Sequence, residues 1–163
     1  MSLSSSFVYK NKSELLKRDI RKKGQYFTTS AILKNGVYKF ILNSPEIILE
    51  PSVGRGDLVG FIKSKNKDIK FDMYEIDRSI AFLDSINKNN IHFVDFLTAH
   101  ITKKYKTIIG NPPYIKTKNQ KNTYVLFIEK CFDLLEEGGE LVFIVPSDFI
   151  KLTSSAGIIN RMM

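Results

Sequence analysis

Apolar residues in this chain fall into short blocks separated by longer stretches with a helical rhythm. The blocks "EIILE" (46–50), "KFDMYEI" (70–76), "IHFV" (91–94), "YKTIIG" (105–110) and "ELVFIV" (140–145) are rich in Ile, Val and Phe and predict strands. Elsewhere apolar residues recur three and four apart, as one face of a helix requires. Ser13 caps a predicted helix over 13–23, with Leu15, Leu16 and Ile20 on one side and Gly24 at its end. Ser30 caps a second that runs to about position 42. A third covers 58–65 and a fourth 78–88, "RSIAFLDSINK". The longest spans about 123–137, with Val125, Phe127, Ile128, Cys131, Leu134 and Leu135 forming a wide apolar face before Gly138 and Gly139. After Pro146, "SDFI" reads as the start of one more helix.

Strands alternating with helices predict an α/β fold, a doubly wound and mostly parallel sheet covered on both faces. Ligands of such sheets sit beyond the carboxyl ends of the strands. The unusual residues of this chain cluster there.

The first strand runs into "LEPSVGRGDLVG", where Gly54 and Gly56 allow backbone to approach a ligand closely. The dinucleotide pattern G-x-G-x-x-G is imperfect here, because the third glycine stands at position 60. The second strand ends with Glu75, placed to accept both hydroxyls of a ribose. The third ends with Asp95, placed to accept from an adenine amino group, while Ile76 and Phe96 can pack against its ring. Each of these residues alone also fits a helix cap or a core position. Glu50, Asp57, Glu75 and Asp95 together form a poor cradle for pyrophosphate. They suit an adenosine joined to an ammonium and a sulfonium, which describes S-adenosylmethionine.

The fourth strand stops at Gly110 and is followed by Asn111, Pro112, Pro113 and Tyr114. Each proline fixes its own φ, lacks an N–H and holds the preceding residue extended. The Asn111 side-chain oxygen and the Pro112 main-chain oxygen can therefore converge on one –NH2 group, with Tyr114 as a flat face for its ring. Two acceptors on such an amine favour a pyramidal nitrogen with an available lone pair. That chemistry is positioning and electrostatics, with no metal and no covalent intermediate.

Composition adds little. At 163 residues, 43% hydrophobic and 26% charged, the chain fits one soluble domain. No apolar run is long enough to span a membrane, and no signal pattern opens the sequence. Cys131 is the sole cysteine and reads as a buried thiol, His92 and His100 as structural, so a cytoplasmic setting without bound metal is expected. A net charge of +8 favours a polyanionic partner, with basic runs at 17–23 and 116–121.

Over about residues 24–149 the chain resembles the N6-adenine DNA methyltransferases, in the group (gamma-type) whose cofactor motif precedes the catalytic one. "GQYFTT" resembles that family's N-terminal motif, "EPSVGRGDL" its cofactor loop, "NPPY" its catalytic motif and "VFIVPSDFI" the strand and turn after it. The resemblance implies a Rossmann-like class I S-adenosylmethionine-dependent methyltransferase fold, often paired with a restriction enzyme. It implies that Thr28 and Glu50 meet the methionine part of the cofactor, and that Ser52, Gly54 and Gly56 form its loop. By the same matching Glu75 would hold the ribose, Asp95 the adenine amino group and Phe96 the adenine face. Asn111, Pro112 and Tyr114 would act on a flipped adenine in double-stranded DNA. The family continues with further strands, a second aromatic wall for the base and a target-recognition domain. The chain is therefore expected to be a catalytic part, with a basic helix in 1–23 and the core in 24–163, and to depend on a C-terminal half or specificity subunit. Protein glutamine and RNA amino-methyltransferases share the N-P-P-Y elbow, and a non-catalytic subunit of a split enzyme is the further alternative.

Overall fold

The computed structural model describes residues 26–117 and 122–147, together with Phe149, Gly157 and Asn160. The helix expected over 13–23 and the basic run 17–23 lie outside these residues, as do much of the run 116–121 and most of the helix expected after Pro146.

Ser30, in extended conformation, accepts from the Leu33 N–H and starts α1 (Ala31–Lys39). This helix ends sooner than its apolar rhythm suggests. Phe40 and Ile41 N–H still turn back to the last helical carbonyls, but those of Leu42 and Asn43 donate to the Glu140 carboxylate instead of continuing the helix. The chain then enters β1 (Ile47–Glu50), α2 (Asp57–Lys65) and β2 (Lys70–Tyr74), and passes through a short 3-10 turn (Lys88–Asn90) into β3 (Ile91–His92). β4 (Tyr105–Gly110), α3 (Thr123–Asp133) and β5 (Leu135–Phe143) complete the order.

The strands form one sheet in the order β3-β2-β1-β4-β5, and every pairing is parallel. Leu49 of β1 stands between Asp72 of β2 and Ile108 of β4. Successive residues of a strand face opposite sides, and both sides are packed. Ile48 and Ile109 join Val37, Leu58 and Ile62 under α1 and α2. Leu49 and Ile108 join Phe96, Phe127 and Cys131 under α3. This is the doubly wound α/β sheet read from the sequence, and the direction in which successive strands are added reverses between β1 and β4. The carboxyl ends of those strands therefore open a crevice.

Two expected elements differ. Residues 78–88 form turns rather than a helix. The Asp77 carboxylate accepts from the Ser79 N–H and hydroxyl, and the Leu83 N–H donates to the Arg55 carbonyl of the glycine loop. Local and tertiary partners thus take the backbone groups a helix would need. The apolar positions still serve the core, where Ile86 packs with Val53, Val59 and Met73. The other difference lies at the end of α3. It stops at Asp133, and β5 begins at Leu135, carrying Gly138 at φ +65° and a register shift opposite Tyr105–Thr107. A glycine in the left-handed region lets the strand absorb the irregularity that the sequence suggests as a break.

Gly56 shows how tightly the first loop is built. Its φ is +90°, and a Cβ there would stand 2.3 Å from Ile86 Cγ1. Gly56→Ala should lower stability by about 2–4 kcal/mol, combining left-handed strain with overpacking. Gly36→Ala, on an open helical position, should be neutral or slightly stabilising. Paired urea melts read the difference directly, and equal midpoints would refute the steric account.

Candidate active site

Glu50 closes β1 at the crevice and is 2% exposed. Its Oε1 accepts from the Ser52 N–H at 3.2 Å. Among the described residues its Oε2 has no hydrogen-bond partner. Burial, opposed by the Ser52 backbone hydrogen bond and reinforced by the charge of Glu75, pushes its carboxyl up to about 8. A buried acid with a spare oxygen fits a cationic ligand group, because a positive partner restores the charge that burial disfavours.

Glu75 follows β2 and spans the glycine loop. Its Oε2 accepts from the Gly54 N–H and its Oε1 from the Asp77 N–H, each at 2.9 Å. Burial raises its carboxyl despite these N–H groups. Both oxygens keep a second lone pair for hydroxyl donors. Gly54 itself, at φ +54°, lies against the Phe27 ring, which also carries the Arg55 guanidinium 5.2 Å above it. Past β3, Asp95 Oδ1 accepts from the Leu97 N–H at 2.9 Å. Phe96 is almost fully buried, with Phe127 stacked on it, while Ile76 is largely exposed.

These residues border two adjoining cavities. The larger, about 500 Å³, is lined by Glu75, Ile76, Asp95 and Phe96, and the smaller by Thr28 and Glu50. Ser52, Gly54, Phe27, Tyr26 and Asn111 border both. Gly56 borders neither and turns the loop beside them.

The elbow after β4 meets the cavities at Asn111. Its Nδ2 donates to the Tyr26 carbonyl at 2.9 Å and to Thr28 Oγ1 at 3.0 Å, which fixes the amide and turns Oδ1 toward Tyr114. The Tyr114 hydroxyl has two acceptors, Asn111 Oδ1 and the Ile144 carbonyl. Burial pushes that phenol up to about 12, so it remains a donor at neutral pH. Pro112 is fully buried, and Pro113 supplies the proline surface of the larger cavity.

Tyr26 and Phe27 carry no signal at the level of sequence pattern beyond their place beside the threonines. In the fold, the Tyr26 ring stacks on Tyr114, with centroids 5.4 Å apart and 29° between planes. Tyr114→Phe should keep the ring and remove a hydroxyl whose loss is worth about 1 kcal/mol of stability. If that hydroxyl only stands in at Asn111 until an amine arrives, turnover stays within about threefold, below the size of a lost transition-state contact. A loss of a hundredfold would give the hydroxyl a chemical role.

Among the described residues, no helix is long and apolar enough to cross a membrane, and no group of three or more His, Cys, Asp or Glu side chains is arranged to hold a metal.

Residues 19–163 match the family described as Eco57I restriction-modification methylase. The chain is 26% identical over 171 residues to the type II methyltransferase M.AccI of Acinetobacter calcoaceticus, covering 88% of this chain and 32% of that protein. It is 30% identical over 156 residues to the type II methyltransferase M.HincII of Haemophilus influenzae, covering 83% of this chain and 30% of that one. It thus spans about a third of the length of these relatives. Its fold is similar to that of a Listeria monocytogenes protein assigned to the class I S-adenosylmethionine-dependent methyltransferases. The TM-score is 0.61 at 17% identity, over 80% of this chain and 49% of the other. The sheet is accordingly a Rossmann-like methyltransferase sheet.

Proposed function

Because the chain belongs to the Eco57I restriction-modification methylase family, we propose that it is the catalytic part of a DNA methyltransferase that methylates N6 of adenine. The observation that carries this reading is that Asn111, the head of the elbow, borders both the cavity lined by Glu75 and the cavity lined by Glu50. The amide of the elbow thus adjoins both carboxylates proposed to hold the cofactor.

S-adenosylmethionine, when bound, supplies a methyl group on a positive sulfonium. The chain's own residues do the rest. Glu50 receives the ammonium on its unpartnered oxygen, beside Thr28. Glu75 accepts from the ribose hydroxyls while the Gly54 and Asp77 N–H groups hold its plane. Asp95 accepts from the cofactor's adenine amine, and Ile76 covers the ring. At the elbow, Asn111 Oδ1 and the Pro112 carbonyl accept the two hydrogens of the target amine and leave its lone pair free for the methyl. The Tyr114 hydroxyl, displaced from Asn111, keeps the Ile144 carbonyl as its acceptor, so no hydrogen bond is lost in the exchange. An amide and a carbonyl accept hydrogen bonds without taking a proton, so the surplus proton leaves to water after transfer.

The partner is double-stranded DNA. Its adenine must leave the stack to reach the elbow, at a cost of a few kcal/mol, and groove contacts from a further recognition part would offset that. The chain's positive balance supports phosphate contacts of no sequence preference.

The test uses the protein with its recognition part, tritiated S-adenosylmethionine and unmethylated duplex, followed by digestion to nucleosides. Label should co-migrate with N6-methyldeoxyadenosine. Label in N4-methylcytosine would move the target base, and label in protein or RNA alone would overturn DNA as the substrate.

A further inference from the structure

Helix α3 leaves the elbow and returns to the far end of the larger cavity, and it grips both. Its first residue, Thr123, donates through N–H and hydroxyl to the Ile115 carbonyl, each at 2.8 Å, just past the N-P-P-Y stretch. Further along, Phe127 stacks on Phe96. One turn later Lys130 sends its ammonium into the loop after β3. Nζ donates to the main-chain carbonyls of Phe96 at 2.5 Å, Leu97 at 3.2 Å and Ala99 at 2.6 Å. An ammonium has three N–H donors, and all of them are used on backbone. The same ammonium lies 5.0 Å from the Phe96 ring centroid.

Lysine usually keeps its charged end in water, and here burial lowers its pKa while the Asp95 charge opposes the change. Three carbonyls gathered on one point impose a single curl on residues 96–99. That curl is also braced from inside, because Thr98 and Ala99 N–H donate to the Asp95 carbonyl and Leu97 N–H to the Asp95 carboxylate. The orientation of the Asp95 carboxylate is therefore tied to the shape of the turn. Asp95, Phe96 and Leu97 all line the larger cavity. Without Lys130, the three carbonyls lose their shared donor and no longer specify one curl.

We propose that Lys130 is a positioning residue for the adenine end of the cofactor site: by gathering the carbonyls of Phe96, Leu97 and Ala99 it fixes the turn that aims Asp95 at the adenine amino group. The proposal rests on the reading that the cavity takes S-adenosylmethionine. It makes Lys130 a determinant of which purine the site accepts.

Calorimetry on the full chain compares S-adenosylhomocysteine with S-inosylhomocysteine, which carries an oxo group in place of the 6-amino group. A site that reads the amine through a carboxylate should prefer the adenosyl ligand by about 10- to 100-fold. Lys130→Met should bring that ratio to within about threefold of one, as in Asp95→Ala, while Lys130→Arg should retain most of it because the guanidinium still donates to carbonyls. Should Lys130→Met fail to fold by circular dichroism, Lys130→Gln is judged by the same ratio. Equal weakening of both ligands with the ratio intact would make Lys130 a general strut and overturn the proposal. An unmodified chain that binds both equally would overturn it too, through Asp95. Failure of the unmodified chain to bind S-adenosylhomocysteine at all would defeat the cofactor reading itself, and the proposal with it.

Discussion

If the proposed function holds, Asn111→Ala should lower methyl transfer by about 10²- to 10³-fold, the range seen when one preorganised transition-state contact is removed. Cofactor affinity should fall by much less. The reason lies in what each end of the Asn111 amide holds. Its oxygen faces the Tyr114 hydroxyl, where the proposed target amine would take over. Its nitrogen holds the Tyr26 carbonyl and Thr28 hydroxyl, contacts worth together about 1–3 kcal/mol. A few-fold loss of cofactor affinity is thus expected from the loosened loop. Single-turnover transfer at saturating cofactor, beside a cofactor titration, separates the two. A variant that turns over normally once cofactor is saturating would show Asn111 to be only a tether for the loop.

Cofactor binding should strengthen with pH, and Glu50 is the cause. Its carboxyl is raised from 4.5 to about 8 in the folded chain. The folded state therefore retains a proton that the unfolded chain releases above the ordinary carboxylate range. Stability of the ligand-free chain should fall as pH rises from about 4.5 to 8, by at most about 1.4 kcal/mol per pH unit, and then level off. The ammonium of the proposed cofactor needs the ionised form. If binding requires that ionisation, affinity should rise roughly fiftyfold from pH 6 to pH 8, the growth in the ionised fraction for a group at about 8. Glu50→Gln should flatten both profiles, since an amide of the same shape does not titrate there. Thermal melts and cofactor titrations across that range decide it. If the variant keeps the slope of the unmodified chain, another group is responsible.

Much of the crevice is legible in residue order, because a parallel sheet delivers the residue after each strand to one end. Glu50, Glu75, Asp95 and Asn111 each follow or close a run of strand-like residues, and the sheet brings them to two adjoining cavities. The lost helix over 78–88 was not legible. Its apolar spacing is helical, yet the decisive bonds are the Asp77 turn and the Leu83 N–H on Arg55, a tertiary partner that no local pattern reveals. The division between α3 and β5 escaped for a related reason. Gly138 and Gly139 resemble a stop, but the ladder with β4 recruits Leu135 and draws the glycines into the strand. Tyr26 was hidden most completely, because its ring contacts an aromatic 88 positions away in the chain, as their numbers show.

That tyrosine pair gives the elbow an internal competitor. A purine stacking on Tyr114, as the N-P-P-Y resemblance implies, would have to displace the ring already resting there, half exposed to solvent and 5.4 Å away. The apparent affinity for the base is then its intrinsic affinity multiplied by the fraction of time the rings stand open, so an elbow open one time in ten binds about tenfold more weakly. Because Asn111 also holds the Tyr26 carbonyl, the backbone that carries the competing ring is tied to the same elbow.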